Sequence, residues 1–165
     1  SVNNLFDLAN LNTLLGLYDK AVINYKDAIL SNPGYDEIYL NLGLLYIKID
    51  NIELAKKTLK DAYEINSTNP QIILALFDIA LKEKNLYESE KYITEALFLE
   101  PKNYAVWNNL GVIYSMKNNF EKAKKYYQKS LKLKNDYEMA EYNLQRANKK
   151  EQGIFDSFAF NLFGR

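Results

Sequence analysis

The sequence predicts an all-α chain: a helical solenoid of about four helix-turn-helix hairpins, followed by a C-terminal capping helix and a short tail helix. Three observations predict it. Apolar residues recur every three or four positions in runs of about a dozen, broken by short polar turns, which is the spacing of amphipathic helices joined in hairpins. Sliding the sequence against itself by 34 residues aligns Leu8, Leu42, Leu76, Leu110 and Leu144 in one column. Further columns repeat beside it: Ala21, Ala55, Ser89 and Ala123; Tyr25, Leu59, Ile93 and Tyr127; Ala28, Ala62, Ala96 and Ser130. A hairpin of this size cannot cover its own apolar face, so a fixed period of small and bulky columns implies stacking on neighbours built alike.

The first hairpin is expected over about 2–35, with helices at 3–15 and 18–30 and Gly16 at the bend, where tolerance of positive φ is useful. Ser31, Asn32, Pro33 and Gly34 form a stop signal. The second, about 36–69, has helices at 35–48 and 52–65, and Asn69 is a candidate N-cap before Pro70 at the first helical position. The third, about 70–103, has helices at 70–83 and 86–99. The fourth, about 104–137, breaks at Lys117, Asn118 and Asn119. A ninth helix near 137–151, within a capping segment 138–152, carries Glu141 where earlier repeats have a large apolar residue, as the polar end of a solenoid requires. In the tail, 153–165, Ile154, Phe155, Phe158, Ala159, Leu162 and Phe163 form an apolar stripe at helical spacing. Such a stripe needs a partner. Tail docking through Phe155, Phe158, Leu162 and Phe163 is expected, either back on the chain's own end, on another copy, or on a different protein in a helix-in-groove mode.

These columns resemble the tetratricopeptide repeat family. Its pattern stands in the fourth hairpin as Trp107, Leu110, Gly111, Tyr114, Ala123 and Tyr127, with Ser130 and Asn135 in place of the last Ala and Pro. The second supplies Tyr39, Leu42, Gly43, Tyr46, Ala55, Leu59 and Ala62, and the first Leu5, Leu8, Ala9, Ala21, Tyr25, Ala28 and Pro33. The third departs most, with Phe77 at the small-residue place, Ala80 at the Tyr place and Ser89 at the first Ala place. The resemblance covers about 2–152 and implies a right-handed solenoid whose first helices line a concave, partner-binding groove.

Composition narrows the function. The 165 residues carry no cysteine and no histidine, so disulfides, the common zinc ligands and the usual neutral-pH proton carrier are absent. The formal net charge of zero implies no strong attraction to nucleic acid. Lys122, Lys124, Lys125, Lys129, Lys132, Lys134, Lys149 and Lys150 crowd the C-terminal third, where they read as a solvated face or as a site for an acidic partner. No run reaches the roughly 18 apolar residues of a membrane span, and no secretory signal opens the chain. A start at Ser1 suggests a fragment or processed form, and the expected compartment is the cytoplasm. Glycines are scattered rather than gathered in a phosphate loop, and the acidic residues sit at turns and on polar faces, so no catalytic residue, cofactor or metal is expected.

Helix geometry and the resemblance together place exposed groove positions beside the leucine column. They are Asn10, Leu40, Asn41, Leu44, Leu74, Asp78, Asn108, Asn109, Val112, Tyr142 and Asn143. The resemblance implies that Asn41, Asn109 and Asn143, which share one column, grip the backbone of a bound extended peptide. Leu40, Leu44, Leu74 and Val112 make the expected ligand partly apolar, extended or helical. A chaperone-tail carboxylate clamp, which the family builds from two Asn with Lys and Arg, is not expected, because the basic places hold Phe6, Gln71 and Ala75. The expected function is a non-catalytic scaffold that binds a protein or peptide, with possible self-association through the tail. An RNA-reading helical repeat and the regulatory arm of a larger enzyme are the alternatives.

Overall fold

The computed structural model describes residues 2–149. The nine helices among the described residues begin within one residue of the expected positions, and the ninth, expected to run to about 151, ends at Asn148. They are α1 (Val2–Leu14), α2 (Tyr18–Ser31), α3 (Asp36–Lys48), α4 (Ile52–Ile65), α5 (Pro70–Lys82), α6 (Leu86–Leu99), α7 (Tyr104–Met116), α8 (Phe120–Leu133) and α9 (Glu138–Asn148). No strand occurs among the described residues, and the fold is an all-α helical repeat of the solenoid class. Phe155, Phe158, Leu162 and Phe163 of the expected tail helix lie outside the described residues.

The turn inside each hairpin uses one backbone device. Gly16, Asp50, Lys84 and Asn118, one period apart, all have positive φ, at 73, 60, 56 and 59°. The residue after each returns its N–H to a carbonyl five residues back: Leu17 to Asn12 at 2.8 Å, Asn51 to Tyr46 at 2.8 Å, Asn85 to Ala80 at 2.9 Å and Asn119 to Tyr114 at 2.8 Å. This closes the first helix in a Schellman-type turn. Asn51, Asn85 and Asn119 then cap the second helix, their side-chain oxygens accepting from Leu54, Glu88 and Lys122 N–H groups at 3.2, 3.1 and 3.1 Å. Leu17 stands in the same column and has no side-chain cap. Between hairpins, Asn69 accepts from Gln71 N–H at 3.0 Å, the N-cap expected from the sequence, and Asn103 accepts from Ala105 N–H at 3.0 Å.

The chain forms two compact units, Ser1–Leu76 and Phe77–Arg165. In the N-terminal unit α1 pairs with α2 and α3 with α4, and α3 also rests on α2 and α1. Ala9, Ala21 and Ala28 are fully buried between α1 and α2, beside Tyr25, whose ring lies 6.2 Å from that of Phe6. Gly43 lets α3 approach α4 closely: a Cβ there would sit 2.6 Å from Leu59 Cγ. Asp36, at the start of α3, ties down the end of α4 and the turn after it, accepting from Asn66 and Asn69 at 3.0 Å each.

In the C-terminal unit α7 pairs with α8, α6 lies on α7, and α9 covers α8 and α7. Its core gathers Val112, Ala123, Tyr127 and Ala147, with Tyr114, Met116, Phe120 and Leu144 around them. Tyr127 is fully buried and its hydroxyl meets Ser115 Oγ at 2.9 Å. Burial raises the Tyr127 pKa, so it stays a neutral hydroxyl. Glu90 of α6 accepts from the Tyr114 hydroxyl at 2.8 Å and pairs with Lys117. Lys117 and Tyr114 hold Glu90 below its ordinary value, and the carboxylate pushes Tyr114 up to about 12.

Candidate functional site

The first helices carry the expected groove residues, and the asparagines join them in pairs. In the N-terminal unit, Asn41 of α3 donates its Nδ2 to Asn10 Oδ1 of α1 at 3.0 Å, and the Tyr25 hydroxyl donates to the same oxygen at 2.6 Å. The buried Tyr25 fixes which end of the Asn10 amide faces α3, because only the oxygen accepts. In the C-terminal unit, Asn143 of α9 donates to Asn108 Oδ1 of α7 at 3.0 Å, and Asn108 donates to Asn109 Oδ1 at 3.4 Å. Each asparagine pair therefore links a first helix to the next first helix of its own unit.

Exposure divides the expected site. Asn10, Asn41 and Leu44 are half-buried, and Tyr142 is 44 % exposed with the Arg146 guanidinium 5.7 Å from its ring centre. Leu40, Leu74, Asp78, Asn108, Asn109, Val112 and Asn143 are buried, contrary to the expectation that positions beside the leucine column face outward. Within each unit the reason is visible. α1 touches α3 and α7 touches α9, so residues on those edges meet a neighbouring helix before they meet solvent; Val112 is in the core with Tyr127 and Ala147. Phe6 and Ala75 are buried as well. The leucine column is corrected at its start, since Leu8 is 44 % exposed.

Asp78 stands apart from the other expected groove residues. It is the sole charge between Pro70 and Leu81, its side chain is 3 % exposed, and Lys82 approaches it at 3.5 Å from the next turn. Its Oδ1 is buried without a hydrogen-bond partner among the described residues. Desolvation raises its pKa, and Lys82 partly offsets this. The surrounding run Ile72, Ile73, Leu74, Ala75, Leu76, Phe77 and Ile79 was the available signal, because a charge inside a continuous apolar helix has few places to be solvated.

Along α7 and α8 aromatic rings interleave with lysines. Trp107 stacks on Tyr126 at 5.9 Å, Tyr126 meets Tyr114 at 5.2 Å, and Lys122 and Lys129 lie over Tyr114 and Trp107 at 5.0 and 5.7 Å. These rings hold the hairpin together and absorb part of the lysine crowding in cation–π contacts. No group of His, Cys, Asp and Glu able to hold a metal ion occurs among the described residues, and none of their helices is long and apolar enough to cross a membrane.

Stacked hairpins with αL turns, buried small-residue columns and side-chain amides linking first helices define a helical-repeat protein. Residues 36–69 and 104–137 each match the tetratricopeptide repeat, so the second and fourth hairpins are repeats of that family. Protein O-mannosyl-transferase TMTC1 of Homo sapiens is 27 % identical over 152 residues, which is 89 % of this chain and 17 % of that protein. The chain thus spans about a sixth of that relative's length. Among solved structures, MamA superposes with a TM-score of 0.83 at 21 % identity, covering 94 % of this chain and 84 % of MamA. YrrB, a tetratricopeptide-repeat protein with an unusual peptide-binding site, superposes with a TM-score of 0.76 at 20 % identity, covering 88 % of this chain and 75 % of YrrB. At these identities both show likeness of fold.

Proposed function

We propose that the protein is a non-catalytic interaction scaffold that holds an extended, partly apolar segment of a partner protein on the first-helix face of its N-terminal unit. The observation that carries this reading is the Asn10–Asn41 pair. Their mutual hydrogen bond uses the Asn10 oxygen and the Asn41 nitrogen. This bond leaves the Asn10 NH2 as a donor and the Asn41 oxygen as an acceptor, the two kinds of group that a peptide bond needs. Both residues are half-buried, so solvent reaches them, and Leu44, one turn beyond Asn41, adds an apolar contact. Asn108, Asn109 and Asn143 lack that access and serve to join α7 to α9. The peptide-binding site of YrrB, a protein of the same fold, agrees with this use of the fold.

A dicarboxylate tail is a poor ligand here, because Phe6 and Ala75 are buried and apolar and bring no cation to the face. The absence of His and Cys from the sequence and the scatter of its acidic residues support the non-catalytic reading. A second reading, an interaction arm of a longer protein, is favoured by the 17 % share of the human relative that this chain matches.

The test is selection of ligands from a random-peptide display library by the whole chain and by its Asn41→Ala variant. Enriched peptides with alternating apolar positions that bind the variant at least tenfold more weakly support the proposal. Peptides that bind both chains equally would place the site elsewhere.

A further inference from the structure

Among the second helices, α8 alone carries a continuous stripe of one charge. Lys122, Lys125, Lys129 and Lys132 fall at i, i+3, i+7 and i+10, so they share one face of α8, and all four are exposed. The same four repeat places hold a single lysine each in α2, α4 and α6: Lys20, Lys57 and Lys91. The column of Lys129 is acidic in those three helices, as Asp27, Asp61 and Glu95. In α6 the alternation forms an ion pair, Lys91 meeting Glu95 a turn on at 4.0 Å. In α8 the residue a turn on from Lys125 is Lys129, and like charges at that spacing repel and oppose the helix. The hairpin therefore does not need this stripe in order to fold.

Little on the chain neutralises it. Lys122 and Lys129 lie over Tyr114 and Trp107, contacts that steady the side chains and keep their charge. Glu121 pairs with Lys124 at 2.7 Å, and Glu90 with Lys117. Lys125 and Lys132 have no carboxylate partner among the described residues. From Lys122 to Lys134 six lysines follow one another with no acidic residue between them, whereas nowhere in the chain do four acidic residues follow one another without a base.

We infer that this face of α8 binds a glutamate- or aspartate-rich segment of another protein. The stripe runs about 15 Å at ~1.5 Å per residue, so an acidic segment of a few turns or a short extended stretch covers it. Carboxylates laid along it relieve the repulsion between Lys125 and Lys129 and give Lys125 and Lys132 the partners they lack. A single nucleic-acid strand has the same charge but also needs ring faces to stack on. Here Trp107 lies on Tyr126, Tyr126 meets Tyr114, and Lys129 and Lys122 sit over Trp107 and Tyr114. A second copy of the chain is the poorer match, because it offers no acidic run as long as the stripe.

The test is fluorescence anisotropy of a labelled decaglutamate peptide titrated with the full chain. Lys125→Gln with Lys132→Gln removes two charges of the stripe and leaves the lysines that lie over rings. Lys20→Gln with Lys57→Gln removes as much charge from the same repeat places of α2 and α4. The first pair should weaken binding by about fivefold, with unchanged helicity by circular dichroism, and the second should leave it unchanged. Binding by the parent should fall as salt rises. Asn41→Ala should bind the peptide as the parent does, which separates this face from the site on α1 and α3. Equal losses in the two lysine pairs, or no binding at about 0.15 M salt, would overturn the inference. So would tighter binding of labelled decauridylate than of decaglutamate, or self-association of the chain that the first pair abolishes.

Discussion

Gly111→Ala is the substitution whose outcome the hairpin geometry constrains most tightly. Added at Gly111, a Cβ would stand 2.6 Å from Tyr127 Cδ1 and 3.0 Å from Cζ, well inside the roughly 3.5–4 Å of a relaxed carbon contact. Tyr127 cannot give way cheaply, because it is fully buried and its hydroxyl is held by Ser115 Oγ at 2.9 Å. Forcing a methyl into such a site costs about 1–3 kcal/mol, and disturbing the hydroxyl contact about 1 kcal/mol more. Alanine returns about 1 kcal/mol through its better helix propensity. The net loss is about 1–3 kcal/mol, read as a lower urea midpoint. Trp107 is the chain's sole tryptophan, so its fluorescence reports the C-terminal unit by itself. Gly43→Ala meets Leu59 Cγ at 2.6 Å and Cδ2 at 2.8 Å with no hydroxyl bond to lose, so it should cost less, roughly 0–2 kcal/mol. A midpoint that rises for Gly111→Ala, as helix propensity alone dictates, would refute the close-approach argument.

Two further substitutions probe the turns and the buried charge. Lys84→Gly relieves a side chain held at φ 56° and should raise the thermal midpoint through a gain of roughly 0.5–1 kcal/mol; Gly16→Ala, at φ 73°, should lower it by a comparable amount. For Asp78 the folded pKa lies above its ordinary 3.8, so the folded state holds the proton more tightly than the unfolded chain does. Stability from this group is therefore greatest at low pH and falls as pH rises through the raised value. Asp78→Asn should then be more stable than the parent at neutral pH, by on the order of 1 kcal/mol, with the difference shrinking toward pH 4 in denaturant titrations at a series of pH values.

The helices and their turns were legible because the repeat states each position several times. A glycine column, an asparagine cap column and paired small residues leave little freedom in where α7 and α8 begin and end. The αL position was visible at Gly16 alone, since Asp50, Lys84 and Asn118 reach it without the residue that announces it. The site was less legible. A column tells which residues share a place in the repeat, but not what each one packs against, and so Leu8 aligned with buried leucines while standing half-exposed. For the same reason Asn109 and Asn143 matched a ligand-gripping column and turned out buried, Asn143 donating to Asn108 and Asn108 to Asn109. Asp78 was readable as a lone charge in an apolar run, whereas the loss of a partner for its Oδ1 depends on packing that no periodicity encodes.

The central claim, that the Asn10–Asn41 pair engages the backbone of a bound polypeptide, is open to one direct measurement. Titrating a library-selected peptide into 15N-labelled protein while following the side-chain amide resonances should shift Asn10 and Asn41, with backbone shifts near Leu44. Asn41→Ala should abolish the pattern. Saturable binding that leaves both side-chain amides in place, with shifts confined to the lysine-rich face of α8, would contradict it.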